Sequence, residues 1–316
     1  MKRKRAISKI VLTVGGGVAG PALGIALRRI GIDSVVYAAA PQPRDYAGAF
    51  LHLAPPGLRA LKRLDLHDRV AELGFINQQM GGITVPRGAL SRLLREVACE
   101  AGVRFEYDKE LLSVLERDGG AGARFADSTR VTGRLLVGAD GIHSATRRSL
   151  FPDAPDPVYA GVTHAGGVVT TDLDPTDNQM HMLFRRDGLF GFAVRPDGET
   201  HWCCSLSLPE EPNGDIRPRL SDAYSADPTV RRVLAAVDGA IAGYPVYDIA
   251  TLPRWSCGPV CLIGDAAHGV GPQVEHGASL ALEDAVTLAG CLEEESDPAT
   301  AFANFEGTRR AQLSAA

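Results

Sequence analysis

The chain has 316 residues, 45% hydrophobic and 22% charged, enough to bury a sizeable core in one large or two modest domains of ~100–200 residues. A net charge of -5 at pH 7 argues against wrapping nucleic acid, which needs a basic face. No span approaches the ~20 apolar residues of a membrane helix, and the apolar run 10–14 is too short for a secretory signal, so a cytoplasmic location is expected.

Residues 9–14 are apolar and β-branched and end in Gly15-Gly16-Gly17-Val18-Ala19-Gly20. Leu23, Ala26, Leu27 and Ile30 then recur at helical spacing, and Gly31 closes that helix. Residues 34–37 read as a second strand, giving β-α-β with a parallel pair. A loop with Pro41, Pro43, Pro55 and Pro56 leads to predicted helices over 57–64 and 66–73. After Pro86-Arg87, Leu90, Leu93, Leu94, Val97 and Ala98 mark one face of another helix. Short strands are predicted over 103–107, 111–116, 123–125 and 130–132. A buried strand over 135–137 runs straight into Gly138-Ala139-Asp140-Gly141.

Between Asp156 and Asp248 the pattern changes. Met182 and Phe184, then Phe190, Phe192 and Val194, then Trp202, Cys204 and Leu206 alternate with period two. Asp187-Gly188 and Pro196-Asp197-Gly198 separate them as hairpin signals, so an antiparallel meander is predicted, distinct from the parallel sheet. The α/β pattern resumes at 260–263, followed by Gly264-Asp265-Ala266-Ala267-His268. Ala281, Ala285, Leu288 and Leu292 mark a helix face, and Asp297-Pro298 caps a last helix. The six cysteines have neither disulfide-framework nor zinc spacing and read as reduced thiols, with Cys203 and Cys204 on opposite faces of a strand.

Gly15-x-Gly17-x-x-Gly20, after a strand and opening a helix, is a dinucleotide fingerprint. Its first glycine makes the tight turn, the second admits a pyrophosphate to the backbone, and the third lets helix and strand pack closely. The acidic residue expected at the end of the second strand is missing, since 35–40 reads Val-Val-Tyr-Ala-Ala-Ala. Two further segments, LLVGADGIHSATR over 135–147 and CLIGDAAH over 261–268, end strands in Gly and Asp. Each presents a carboxylate at the carboxyl edge of the sheet, where α/β ligands bind.

With these three motifs in this order, the chain resembles the flavin-dependent aromatic monooxygenases related to para-hydroxybenzoate hydroxylase and salicylate hydroxylase. The resemblance spans nearly the whole sequence. It implies an α/β fold: a Rossmann-like FAD-binding domain with a mainly parallel sheet, formed by 1–155 and 249–316, plus an antiparallel-sheet substrate domain over 156–248. It implies FAD and NAD(P)H as cofactors, held by Gly15, Gly17, Gly20, Arg87, Asp140, Gly141, Gly264, Asp265, Gly277 and Ala278. Pro272 and His276 fall at the catalytic positions beside the flavin, and His164 and His181 are further acid–base candidates. The implied reaction hydroxylates an aromatic or polyketide-type substrate with molecular oxygen through a flavin hydroperoxide, the protein supplying orientation and exclusion of water.

The chain departs from the family at Ala38 and Ala39, where acidic and arginine residues are usual. It departs again at Glu275-His276, where Gly-Gln is common, and at Ala165, in the place of an arginine. These departures favour, as the alternative, a degenerate member with weak FAD binding acting as a ligand-binding or accessory protein. Halogenation is disfavoured because Trp202 and Trp255 stand alone, and hydrolase motifs are missing.

Overall fold

The computed structural model describes residues 10–43, 50–117, 119–269 and 277–314. Its larger sheet has six strands in the order Ser256–Cys257, Val260–Leu262, Leu135–Gly138, Val11–Val14, Ser34–Tyr37 and Arg104–Glu106. All neighbours run parallel except the first pair. The central strands are buried throughout, as parallel strands covered on both faces must be. Val11, Val36, Leu135 and Val137 face the helices Ala19–Arg29, Arg87–Glu100 and Gly277–Glu294. Leu12, Val35 and Leu136 face a three-stranded antiparallel sheet of Leu111–Arg117, Gly120–Phe125 and Arg130–Gly133.

A small sheet in the order Phe50–Leu53, Ile83–Pro86 and Phe75–Ile76 was not legible in the sequence. Its strands are two to four residues long, too short for alternation to stand out. The predicted helices flanking it form as Pro55–Arg63 and His67–Leu73. Gly57 lets the first of them touch Gly277–Glu294: a Cβ there would lie 2.7 Å from Ser279 Cα.

The antiparallel sheet has five strands in the order His181–Arg185, Gly188–Val194, Glu199–Ser207, Val158–Thr170 and Tyr244–Asp248. The three meander strands form as predicted, but the long strand Val158–Thr170 was hidden by Gly161, Gly166 and Gly167. Phe190, Trp202, Cys204 and Leu206 point to one face and pack on Leu220, Tyr224, Val230 and Val233. Those partners sit on the helices Arg217–Ala223 and Pro228–Ala235, which the alternation did not announce. Met182 belongs to the opposite face, since it pairs with Gly191, which pairs in turn with Cys203, while Phe190 pairs with Cys204. Cys203 and Cys204 therefore do face opposite ways. The helix Pro298–Ser314 closes the described chain, its Thr300 N–H donating to Asp297 as the capping reading requires. No helix among the described residues is long and apolar enough to cross a membrane.

Candidate functional site

A cavity of about 710 Å³ runs from the carboxyl ends of the parallel strands to the open face of the antiparallel sheet. Its floor is the glycine turn. A Cβ on Gly15 (φ +121°) would lie 2.1 Å from the Ala139 carbonyl oxygen, and one on Gly20 would lie 1.9 Å from that of Gly15. A Cβ on Gly17 meets nothing within 4 Å. The first and third glycines are thus needed for packing, while the second opens onto the cavity. Val18 provides no side-chain cap to the helix Ala19–Arg29, so the first-turn N–H groups stay open to an acceptor.

Asp140 turns mostly inward. Its carboxylate accepts from Ser144 Oγ at 2.5 Å, Thr146 N at 2.9 Å and Thr146 Oγ1 at 3.0 Å. Ser144 in turn accepts from Arg147 N at 2.9 Å, capping the helix Ala145–Leu150. This carboxylate sets the shape of the 140–146 turn, and Gly141 (φ +76°) makes that turn possible. Arg147, almost wholly buried, donates to the carbonyls of Ile142 and, at 3.1 Å, of Ala266. It clamps the second motif to the third.

Gly264 (φ +58°) delivers Asp265 to the cavity wall. Burial among protein atoms raises the pKa of Asp265, with the charges of His268 and Arg87 pulling it back. A Cβ on Gly277 would lie 3.6 Å from Asp265 Oδ1, which brings the start of the long helix beside this carboxyl group. Arg87, the first residue of its helix, lines the same space. All ten residues expected to hold the cofactor lie on or beside one cavity: eight line it, while Gly20 sits beneath the glycine turn and Gly264 sits behind Asp265. Pro272, Glu275 and His276 lie outside the described residues.

The missing acid at Ala38 has a place in this geometry. Ala38 is buried, and its Cβ would be 2.9 Å from a Cβ on Gly16, so the position faces the glycine turn as the fingerprint expects. Ala165, by contrast, points away from the cavity into the cluster of Phe190, Trp202 and Cys204. The residue of that strand that lines the cavity is His164. Burial lowers its pKa, and Nε2 has no partner among the described residues, both of which favour the neutral ring. His181 takes no part in the cavity lining.

The sequence did not reveal the rest of this end of the cavity, where His52, Asn77, Met80, Thr84, Met182, Leu189 and Cys203 converge. Asn77 donates to Thr84 Oγ1 at 3.2 Å and Gln79 accepts from Met182 N at 2.8 Å, tying the small sheet to the meander. A second omission has a visible signal. Asp284 lies among the apolar helix positions Leu280, Ala281, Ala285 and Leu288, and a carboxylate there demands a buried partner.

A sequence model of the FAD binding domain family matches residues 37–297. Aurachin C monooxygenase/isomerase of Stigmatella aurantiaca is 30% identical over 95% of this chain and 84% of its own length. A 3-amino-4-hydroxybenzoate 2-monooxygenase of Streptomyces cremeus is 30% identical over 95% of this chain and 82% of its own. In fold, the chain is similar to Klebsiella pneumoniae HpxO solved with FAD and uric acid. That likeness has a TM-score of 0.83 at 24% identity, covering 95% of this chain and 84% of that one.

Proposed function

The chain belongs to the family of FAD-dependent aromatic monooxygenases, and from that premise we propose that it uses NAD(P)H and molecular oxygen to hydroxylate a small aromatic substrate. The observation that carries this reading is the single cavity joining the glycine turn, Asp265 and the open face of the antiparallel sheet. Residues 1–155 with 249–316 are assigned to FAD, and 156–248 to the substrate.

The cradle fits the cofactor. Gly17 leaves room for a pyrophosphate where any side chain would intrude, beside uncapped helix N–H groups suited to an anion. Arg87 adds positive charge at the same wall, and Asp265 offers a carboxylate to hydroxyl groups. When bound, FAD would accept a hydride from NAD(P)H and activate oxygen, one oxygen atom entering the ring and the other leaving as water. The residues of this chain bind, orient and exclude water. Asp140 keeps the 140–146 turn in shape, and Arg147 fixes its distance from Asp265. His164 lines the cavity with a hydrogen-bonding ring whose burial disfavours a charge beside the substrate.

The test is an FAD titration followed by reductant consumption. Apoprotein should regain a bound-flavin spectrum, and NAD(P)H oxidation should accelerate when a phenolic or related heteroaromatic ring is added from a broad panel. Saturation with FAD and no stimulation by any member of the panel would instead favour the accessory-protein alternative.

A further inference from the structure

Behind the Gly264–Asp265 turn lies a set of buried charges that touches no part of the cavity. Asp284 and Arg309 have no exposed side-chain surface, and that of His268 is 8% exposed. Asp284 Oδ2 accepts from Gly264 N at 2.7 Å and lies 2.6 Å from His268 Nε2. Its Oδ1 accepts from Arg309 Nε at 2.6 Å. Arg309 also reaches Glu283 at 3.1 Å and the Leu280 carbonyl at 3.4 Å, and bonds Gln312 on its own helix.

The connectivity is specific. One carboxylate holds both ends of the short segment from Gly264 to His268, with Asp265 between them, and is itself held from the last described helix. Gly264 adopts a positive φ, a conformation that needs local support. A Cβ there would sit 3.5 Å from both Ala19 and Ala281, so the turn lies beside the helix that follows the glycine fingerprint. Burial disfavours the Asp284 carboxylate, but His268 and Arg309 outweigh it and hold its pKa below the ordinary range. Burial likewise opposes the His268 imidazolium, and Asp284 outweighs it, raising that pKa.

We propose that Asp284, braced by Arg309 and bonded to His268, is the positioning residue of the cofactor turn, so that the final helix sets the aim of Asp265 at the flavin. This rests on the reading that Asp265 faces FAD. A purely structural role, holding the last helix in place, would cost stability and leave the bound flavin unchanged. A positioning role must also show in the flavin.

The experiment uses the full chain and FAD itself. Asp284→Asn keeps an oxygen for Gly264 N–H and removes the charge, so FAD should bind ~10–100-fold more weakly, a difference of ~1.4–2.8 kcal/mol. The visible circular dichroism of the flavin that remains bound should change shape as its surroundings shift. His268→Gln, able to donate to Asp284, should restore most of the affinity that His268→Leu loses. If Asp284→Asn does not fold, this His268 pair decides the matter. Folded variants with wild-type affinity and an unaltered flavin spectrum would overturn the proposal while leaving the cofactor reading intact. A folded wild-type chain that takes up no FAD would overturn both.

Discussion

Beside the parallel sheet a chain of buried charges is bonded end to end, whereas beside the antiparallel sheet several buried polar groups are neutral and enclosed by apolar side chains. Asp284, His268 and Arg309 form a bonded chain, and Arg147 spans two loops through their carbonyls. In the other half, Trp202 Nε1, Tyr224 OH and His164 Nε2 have no partners among the described residues, and burial raises the Tyr224 pKa. Trp202 instead stacks on Phe190, with ring centroids 5.7 Å apart. Charged pairs in a low-dielectric interior fix geometry, since losing one partner strands the other. Apolar packing tolerates changes of volume more readily than changes of polarity. The half assigned to the cofactor therefore adds a buried charge network to its apolar core, and the half assigned to the substrate relies chiefly on apolar packing.

The sharpest way to break this comparison is a matched pair of truncations. Asp284→Ala leaves Arg309 and His268 uncompensated and should cost ~3–5 kcal/mol of apoprotein stability in urea denaturation. Trp202→Ala should cost a similar ~3–5 kcal/mol through the cavity it leaves, yet leave FAD affinity in the folded protein unchanged. If Trp202→Ala weakened FAD binding as strongly as Asp284→Ala, the division between the halves would be wrong.

A smaller effect is expected at the cofactor wall itself. Asp265→Ala removes a charged hydrogen-bond acceptor worth ~1.5–3 kcal/mol, so FAD should bind ~10–150-fold more weakly in a fluorescence titration. Unchanged affinity would remove Asp265 from the site. Ala38→Glu works in the other direction. It restores a carboxylate beside the glycine turn and should tighten FAD binding by ~10-fold. Equal affinities would mean that this strand end serves another purpose in this chain.

The smallest effect concerns pH and the substrate half. The folded pKa of His164 lies below its unfolded value, so the unfolded chain binds more protons as pH falls through the ordinary histidine range. Its contribution to stability is present above that range and is lost on acidification. Between pH ~7.5 and ~5.5 the stability difference between wild type and His164→Gln should therefore shift in favour of the variant as the pH falls, whatever the other histidines contribute to both. Parallel pH profiles for the two proteins would show that His164 is not held neutral by its surroundings.

The parallel half was legible almost residue by residue. Its central strands are mostly apolar and buried, and Gly15, Gly20 and Gly264 occupy conformations or contacts that other residues rarely share. Such local constraints are written into the sequence where they act. The strand Val158–Thr170, the small sheet carrying His52 and Thr84, and the helices behind Trp202 were decided by pairing between distant segments. Three glycines and short strands leave no local period to read. The same limit explains the site. Spacing alone marked Asp140 and Asp265 as carboxylates at strand ends. Only the tertiary structure turned the first inward onto Ser144 and Thr146, opened the second to the cavity, and placed His164 rather than Ala165 on the cavity face. Side-chain direction on a strand follows register, and register is fixed by the partners across the sheet.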